Sequence, residues 1–168
     1  MVQIESRKKA FEKALEYAKQ WLATVGEGDA QVTGAECQFC HTQGAPEPVE
    51  KEIKEAKKGF PASITLKLNS LSDVSLIEKL NQASAAGVEV NLIIRGIYSA
   101  KMQAKKKQVS PYAISIVDQY LEHARVLVFH NGGNVLVYIS SADWMVRNLD
   151  HRVEAACPIV DNNLKKEL

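Results

Sequence analysis

The sequence predicts an α/β fold, a mixed β-sheet flanked by helices, on three observations. Residues 62–68 alternate, with Ile64, Leu66 and Leu68 on one face, as a strand buried on one side does. A segment that can be capped as a helix follows, and after it comes a strongly apolar run, Val88 to Ile94. Two strands joined by a helix in this way are expected to lie parallel, with a right-handed crossover. Finally, Asn131-Gly132-Gly133 stands between two apolar runs, the pattern of a β-hairpin, whose strands must be antiparallel. Parallel and antiparallel pairs in one chain make the sheet mixed.

The elements follow in order. Ile4, Phe11, Ala14, Leu15, Ala18, Leu22 and Val25 recur at helical spacing, with Lys and Glu on the other face, and Gly26 and Gly28 stop that helix. From Asp29 to Pro48 the periodicity dissolves into Gly, Pro, Thr and Gln. This loop is the predicted boundary between residues 1–45, a helix and cysteine-bearing loop whose origin the sequence leaves open, and a domain over 46–168. A second helix is expected from about Glu47 to Lys58, with Pro48 tolerated in its first turn and Gly59 ending it. Beyond the strand at 62–68, Ser72 or Asp73 caps a helix reaching about Ala86, which Gly87 stops. Lys101 to Gln108 reads as a basic connection and Ile114 to Leu121 as a short helix. Val126–Phe129 and Val135–Ile139 are the hairpin strands, and 152–159 supplies one more.

Composition narrows the function classes. The chain has 168 residues, 46% of them hydrophobic, enough for one sizeable core. Its 21 basic and 20 acidic residues leave a formal charge of +1, so no global pull toward nucleic acid is expected and any anion site must be local. No apolar run approaches the ~18 residues that argue for a membrane span, and Met1 to Lys9 lacks the apolar stretch of a secretory signal. Three cysteines, Cys37, Cys40 and Cys157, make no disulfide framework and suit a reducing, cytoplasmic setting.

The residues that carry chemistry cluster late in the chain. His123 stands just before a strand, and Ser140 and Ser141 follow another, with Asp143 and Arg147 close behind. Imidazole, hydroxyl, carboxylate and guanidinium gathered at strand ends suit phosphoryl transfer, which needs orienting groups and a cation for the oxygens. Arginine binds phosphate bidentately and keeps its charge, which recommends Arg147, and also Arg95 at the end of an apolar strand. Asp143 and Arg147 are each open to a structural ion pair instead, as are Arg152 and Glu154, and Trp144 and Met145 read as packing.

Ser-Ser-Ala-Asp-Trp-Met-Val-Arg-Asn-Leu-Asp-His-Arg-Val-Glu, residues 140–154, resembles the C-terminal signature of the kinases that make long-chain polyphosphate. Lys67-Leu-Asn-Ser-Leu-Ser-Asp73, the run from Ala83 to Arg95-Gly96, and Ser115 to His123 match the same family in order and spacing. The resemblance covers about Pro48 to Leu168. It implies a phospholipase D-like half-domain, the second of two, contributing to reversible transfer of the terminal phosphate of ATP to polyphosphate, with magnesium. It also implies that Arg95 and His123 contact nucleotide phosphates and that His123 is an acid or base partner; the residues themselves add Ser141 and Arg147 as phosphate-binding candidates. The histidine that takes the phosphoryl group would belong to an upstream domain. Partners are then ATP or ADP, polyphosphate and those upstream domains, with no nucleic acid and homo-oligomerisation open; alone, the chain is expected to be inactive. It departs from the family at Ile97 to Tyr112, lysine-rich where the family has a Cys- and Gly-rich loop.

Two other readings stand beside this one. Cys37-Gln-Phe-Cys40-His41 fits covalent haem c attachment with His41 as axial ligand, or a zinc site completed from elsewhere, or an unliganded loop. A dimeric phospholipase D-like phosphodiesterase would join two half-sites so that both histidines meet. That class has a lysine two residues after its histidine, where this chain has Arg125.

Overall fold

A computed structural model describes residues 47–99, 111–116, 121–152 and 154–168. Helix α1 (Glu47–Lys57) opens the described chain, followed by β1 (Ser63–Leu68), α2 (Val74–Ala85) and β2 (Glu89–Ile94). Then come β3 (Tyr112–Ile114), β4 (Val126–Phe129), β5 (Leu136–Ser140), α3 (Val146–His151), β6 (Ala156–Pro158) and α4 (Asn162–Glu167). The six strands form one sheet in the order β3-β2-β1-β4-β5-β6. β1 pairs parallel with β2, and β2 with β3; every pairing from β1 toward β6 is antiparallel. The expected α/β class, a mixed sheet flanked by helices, is the one the chain adopts.

Side-chain period decides which face is buried. Ile64, Leu66 and Leu68 of β1, Val90, Leu92 and Ile94 of β2, and Leu127 and Phe129 of β4 share one face. α1 and α2 cover it with Val49, Ile53, Leu76, Ile77, Leu80 and Ala83. Asp73 starts α2 by accepting a hydrogen bond from the Leu76 amide at 3.0 Å, so it rather than Ser72 is the cap. The other face carries a smaller cluster, Val137, Ile139 and Ile159, over which Leu164 of α4 packs. Thr65, Lys67, Asn91 and Ile93 on that face are half-buried.

Two expectations need correction. Ile114 ends a strand instead of starting a helix, and Ser115 and Ile116 are not helical; 117–120 lie outside the described residues. β3 adds to the open side of β2, which offers an exposed segment a row of backbone partners at once. The strand expected over 152–159 is confined to Ala156–Pro158, because α3 runs through His151. The hairpin is present, and Asn131, Gly132 and Gly133 all take positive φ (50°, 64° and 91°) to make its turn. The helix expected over residues 4–25, the 45/46 boundary and the lysine-rich connection lie outside the described residues.

Candidate functional site

Strand direction places the candidate residues together. β2 and β1 run toward one rim, β4 starts from it and β5 returns to it. Arg95, Asn69, His123, Arg125 and Ser141 therefore all stand at that rim. The loops there are laced by backbone bonds: Gly96 N–H donates to Asn69 O, Leu71 N–H to Ile97 O at 2.8 Å, and Ser72 N–H to Trp144 O at 2.9 Å. A Cβ at Gly96 would lie 3.0 Å from Asn69 O, so the close approach of these loops calls for glycine. Trp144, only 2% exposed, packs into the main core beneath the rim, as its packing role predicts.

Asp143 organises the rim. Its Oδ1 accepts from the backbone N–H of Asn69 at 2.8 Å and of Ser70 at 3.1 Å. The same carboxylate receives Arg125 as a fork, Nε to Oδ1 at 2.9 Å and Nη2 to Oδ2 at 3.1 Å. Burial would push the Asp143 pKa up, but the hydrogen bonds from Arg125 and the two amides outweigh it and hold the carboxyl below its usual value. The structural ion pair open to Asp143 is thus realised with Arg125.

His123 stands exposed on this platform, with its Nδ1 3.1 Å from the buried Asn69 carboxamide. Desolvation of the ring, with the Arg125 and Arg95 guanidinium groups near, lowers its pKa from the ordinary imidazole value, against an opposing pull from Asp143. Arg95 is half-buried, and its buried Nη1 has no hydrogen-bond partner among the described residues. Lys67 donates to Ala124 O at 3.0 Å and lies 3.6 Å from Glu122; burial lowers its pKa despite Glu122, with Arg95 and Arg125 adding to the lowering. Four cationic or potentially cationic groups therefore crowd one edge of the sheet, and one of them has an unsatisfied buried donor.

The remaining candidates sit differently. Ser141 donates its hydroxyl to Glu154, accepts from the Ala155 N–H at 3.0 Å, and so ties the end of β5 to the segment before β6. Asn148 donates to the other Glu154 oxygen at 2.6 Å. Arg147 is exposed in the first turn of α3. Cys37, Cys40 and His41 lie outside the described residues. Sequence reasoning missed Asn69, whose signal was its place in the matching block at Lys67, and missed that Asp143 pairs with Arg125, although the sequence singles out each of those two residues by itself.

The architecture is that of an α/β domain whose loops converge on one cationic rim. A family model described as Polyphosphate kinase C-terminal domain 2 matches residues 37–168. A second, described as Domain of unknown function (DUF2024), matches residues 2–62 and so overlaps the first across the Cys37 to His41 segment and α1. The polyphosphate kinase of Salmonella typhimurium is 50% identical over 122 residues, 73% of this chain and 18% of that protein. The polyphosphate kinase of Vibrio cholerae is 52% identical over 120 residues, 71% of this chain and 17% of the relative. The crystal structure of the polyphosphate kinase of Porphyromonas gingivalis superposes with a TM-score of 0.66 at 44% identity, covering 71% of this chain and 18% of that one. The chain belongs to the polyphosphate kinase family, and its described residues form a mixed-sheet unit of that family's C-terminal part. It spans less than a fifth of the length of these relatives.

Proposed function

We propose that the rim binds terminal phosphates of ATP and polyphosphate, as one wall of an ATP:polyphosphate phosphotransferase working in the cytoplasm. The observation that carries this reading is Arg95: a buried guanidinium nitrogen without a partner among the described residues, beside His123 and in a crowd of positive charge. A desolvated donor of this kind costs free energy until an anion accepts from it, and phosphate oxygens suit the guanidinium fork. Arg95 takes phosphate oxygens, and His123 holds or moves a proton at the imidazole nitrogen away from Asn69. Arg147 extends the cationic surface beyond β5, and Ser141 keeps that strand end in place.

Magnesium, which the resemblance implies, would be carried chiefly by the nucleotide phosphates, with few protein ligands at this rim. The Asp143 carboxylate already serves Arg125 and two amides, and no cluster of three metal-binding side chains exists among the described residues. No helix of the described residues is long and apolar enough to cross a membrane. The phosphodiesterase reading is disfavoured by Arg125, which occupies the lysine position of that class but is held in the Asp143 ion pair.

Calorimetric titration of the full chain with ATP and with tripolyphosphate tests the proposal. Arg95→Gln is expected to weaken binding about tenfold or more, as loss of a charge-assisted hydrogen bond of roughly 1.5–3 kcal/mol implies. Unchanged affinity in both Arg95→Gln and His123→Ala would refute the site. The chain alone is expected to bind phosphates without making polyphosphate, because positioning of donor and acceptor needs the opposite wall.

A further inference from the structure

Asn69 is 4% exposed, and its carboxamide faces three different groups at once. With the oxygen toward Arg125, that oxygen accepts from Arg125 Nη2 at 2.9 Å, from Nε at 3.3 Å and from His123 Nδ1 at 3.1 Å, while the amide nitrogen donates to Glu122 O at 3.1 Å. The opposite orientation would set NH2 against guanidinium donors and carbonyl oxygen against carbonyl oxygen. Guanidinium nitrogens can only donate and a carbonyl can only accept, so the first orientation is the one that satisfies every group. Arg125 cannot turn away, because both of its forked bonds are taken by Asp143. Asp143 also fixes the Asn69 backbone through its N–H.

From this chain of contacts we propose that Asn69 is a positioning residue: its oxygen holds His123 as the Nδ1–H tautomer, leaving Nε2 unprotonated and directed away from the sheet. The tautomer of an imidazole is set by the hydrogen bond its other nitrogen makes, and here that bond is dictated three residues deep, from Asp143 through Arg125 to Asn69. A neutral amide, unlike a carboxylate, orients the ring without drawing a proton onto it. His123 therefore meets an incoming phosphate group as a proton acceptor at Nε2, a role consistent with the surrounding positive charge. This rests on the phosphate-site reading for its purpose, but not for its test.

The test is two-bond proton–nitrogen NMR of the full chain with labelled histidine, without ligand. The expected spectrum shows neutral His123 protonated at Nδ1; a neutral ring protonated at Nε2 overturns the proposal with no variant needed. Asn69→Asp retains an acceptor for both His123 and Arg125, so it should keep the Nδ1–H form and raise the His123 midpoint. The charged groups facing His123 among the described residues, Arg125, Arg95, Lys67 and Asp143, are unchanged in that variant, so the shift isolates residue 69. An unmoved midpoint would show that position 69 does not touch the ring. Asn69→Leu, if circular dichroism shows it folded, should lose the Nδ1–H preference; its retention would count against the assignment. Undiminished tripolyphosphate binding in both Arg95→Gln and His123→Ala would instead sink the phosphate site and leave the tautomer result standing.

Discussion

The two ends of the sheet are each held by one buried carboxylate, and they come out differently. At the closed end, Glu52 of α1, 1% exposed, accepts from the backbone N–H of Ser63 at 3.1 Å and from that of Asn131. It joins a helix, the start of β1 and the hairpin turn, and it makes no ion pair among the described residues. At the rim, Asp143 accepts the Asn69 and Ser70 amides in the same way but also takes the Arg125 fork. The first is a fastening and nothing more. The second adds a fixed guanidinium, and that guanidinium orients Asn69 and sits beside His123. The same device, a carboxylate among backbone donors, becomes part of a site only when it brings in a second charge.

The comparison breaks if removing the two carboxylates costs the same and does the same. Asp143→Ala should be the most damaging change, about 3–5 kcal/mol by chemical denaturation, because it leaves Arg125 buried without its counter-charge and two amides unpaired. Phosphate binding should fall with it, since Asn69 and His123 lose their frame. Acid provides a milder version of the same loss. The folded-state pKa of Asp143 lies below its unfolded value, so its stabilisation is complete above the unfolded carboxyl pKa and disappears as pH falls through the folded one. Stability measured from pH 6 downward should therefore drop more steeply in the native chain than in Asp143→Asn. Equal slopes would mean that Asp143 contributes no linkage.

Glu52→Ala should rank second, at roughly 1.5–3 kcal/mol for charge-assisted bonds to two amides. Its effect should stay at its own end: affinity for tripolyphosphate in the folded variant is expected to match the native chain. A fall in affinity would show that the two ends are coupled through the sheet, and the contrast between fastening and site would have to be abandoned.

How much of this was legible beforehand depended on sequence distance. The β1-α2-β2 unit was readable because alternation, the Asp73 cap and Gly87 all lie within the segment they shape. β3 was not, because its three residues are all exposed and it exists only by pairing with β2. α3 and α4 have six residues each, too few for a helical period to register. At the rim, His123 and Arg95 stood out by their places at strand ends. The contact from Asp143 to Asn69 spans 74 positions, and no local pattern records it. Ser141 illustrates the converse: its position was readable, but its engagement with Glu154 needed the fold.

The smallest expected effect belongs to Arg147, and it measures how far the site extends from Asp143. Arg147 is exposed in the first turn of α3, where the positive end of the helix dipole mildly disfavours a cation. Replacing it by alanine removes no buried contact and should change stability by no more than about 0.5 kcal/mol. Its guanidinium remains in water, so an ion contact there is screened and weak, in contrast to the desolvated Arg95 nitrogen. Tripolyphosphate affinity of Arg147→Ala should accordingly fall less than about twofold at physiological salt, where Arg95→Gln loses about tenfold. The comparison is made by titrating both variants with tripolyphosphate and with a much longer polyphosphate. If Arg147→Ala weakens the long chain but not the short one, the polymer runs from Arg95 across β5 toward α3, and the rim is the inner end of a longer track. A loss with tripolyphosphate as large as that of Arg95→Gln would place the ligand over α3 instead, and the carboxylate that organises His123 would no longer be the one that organises binding.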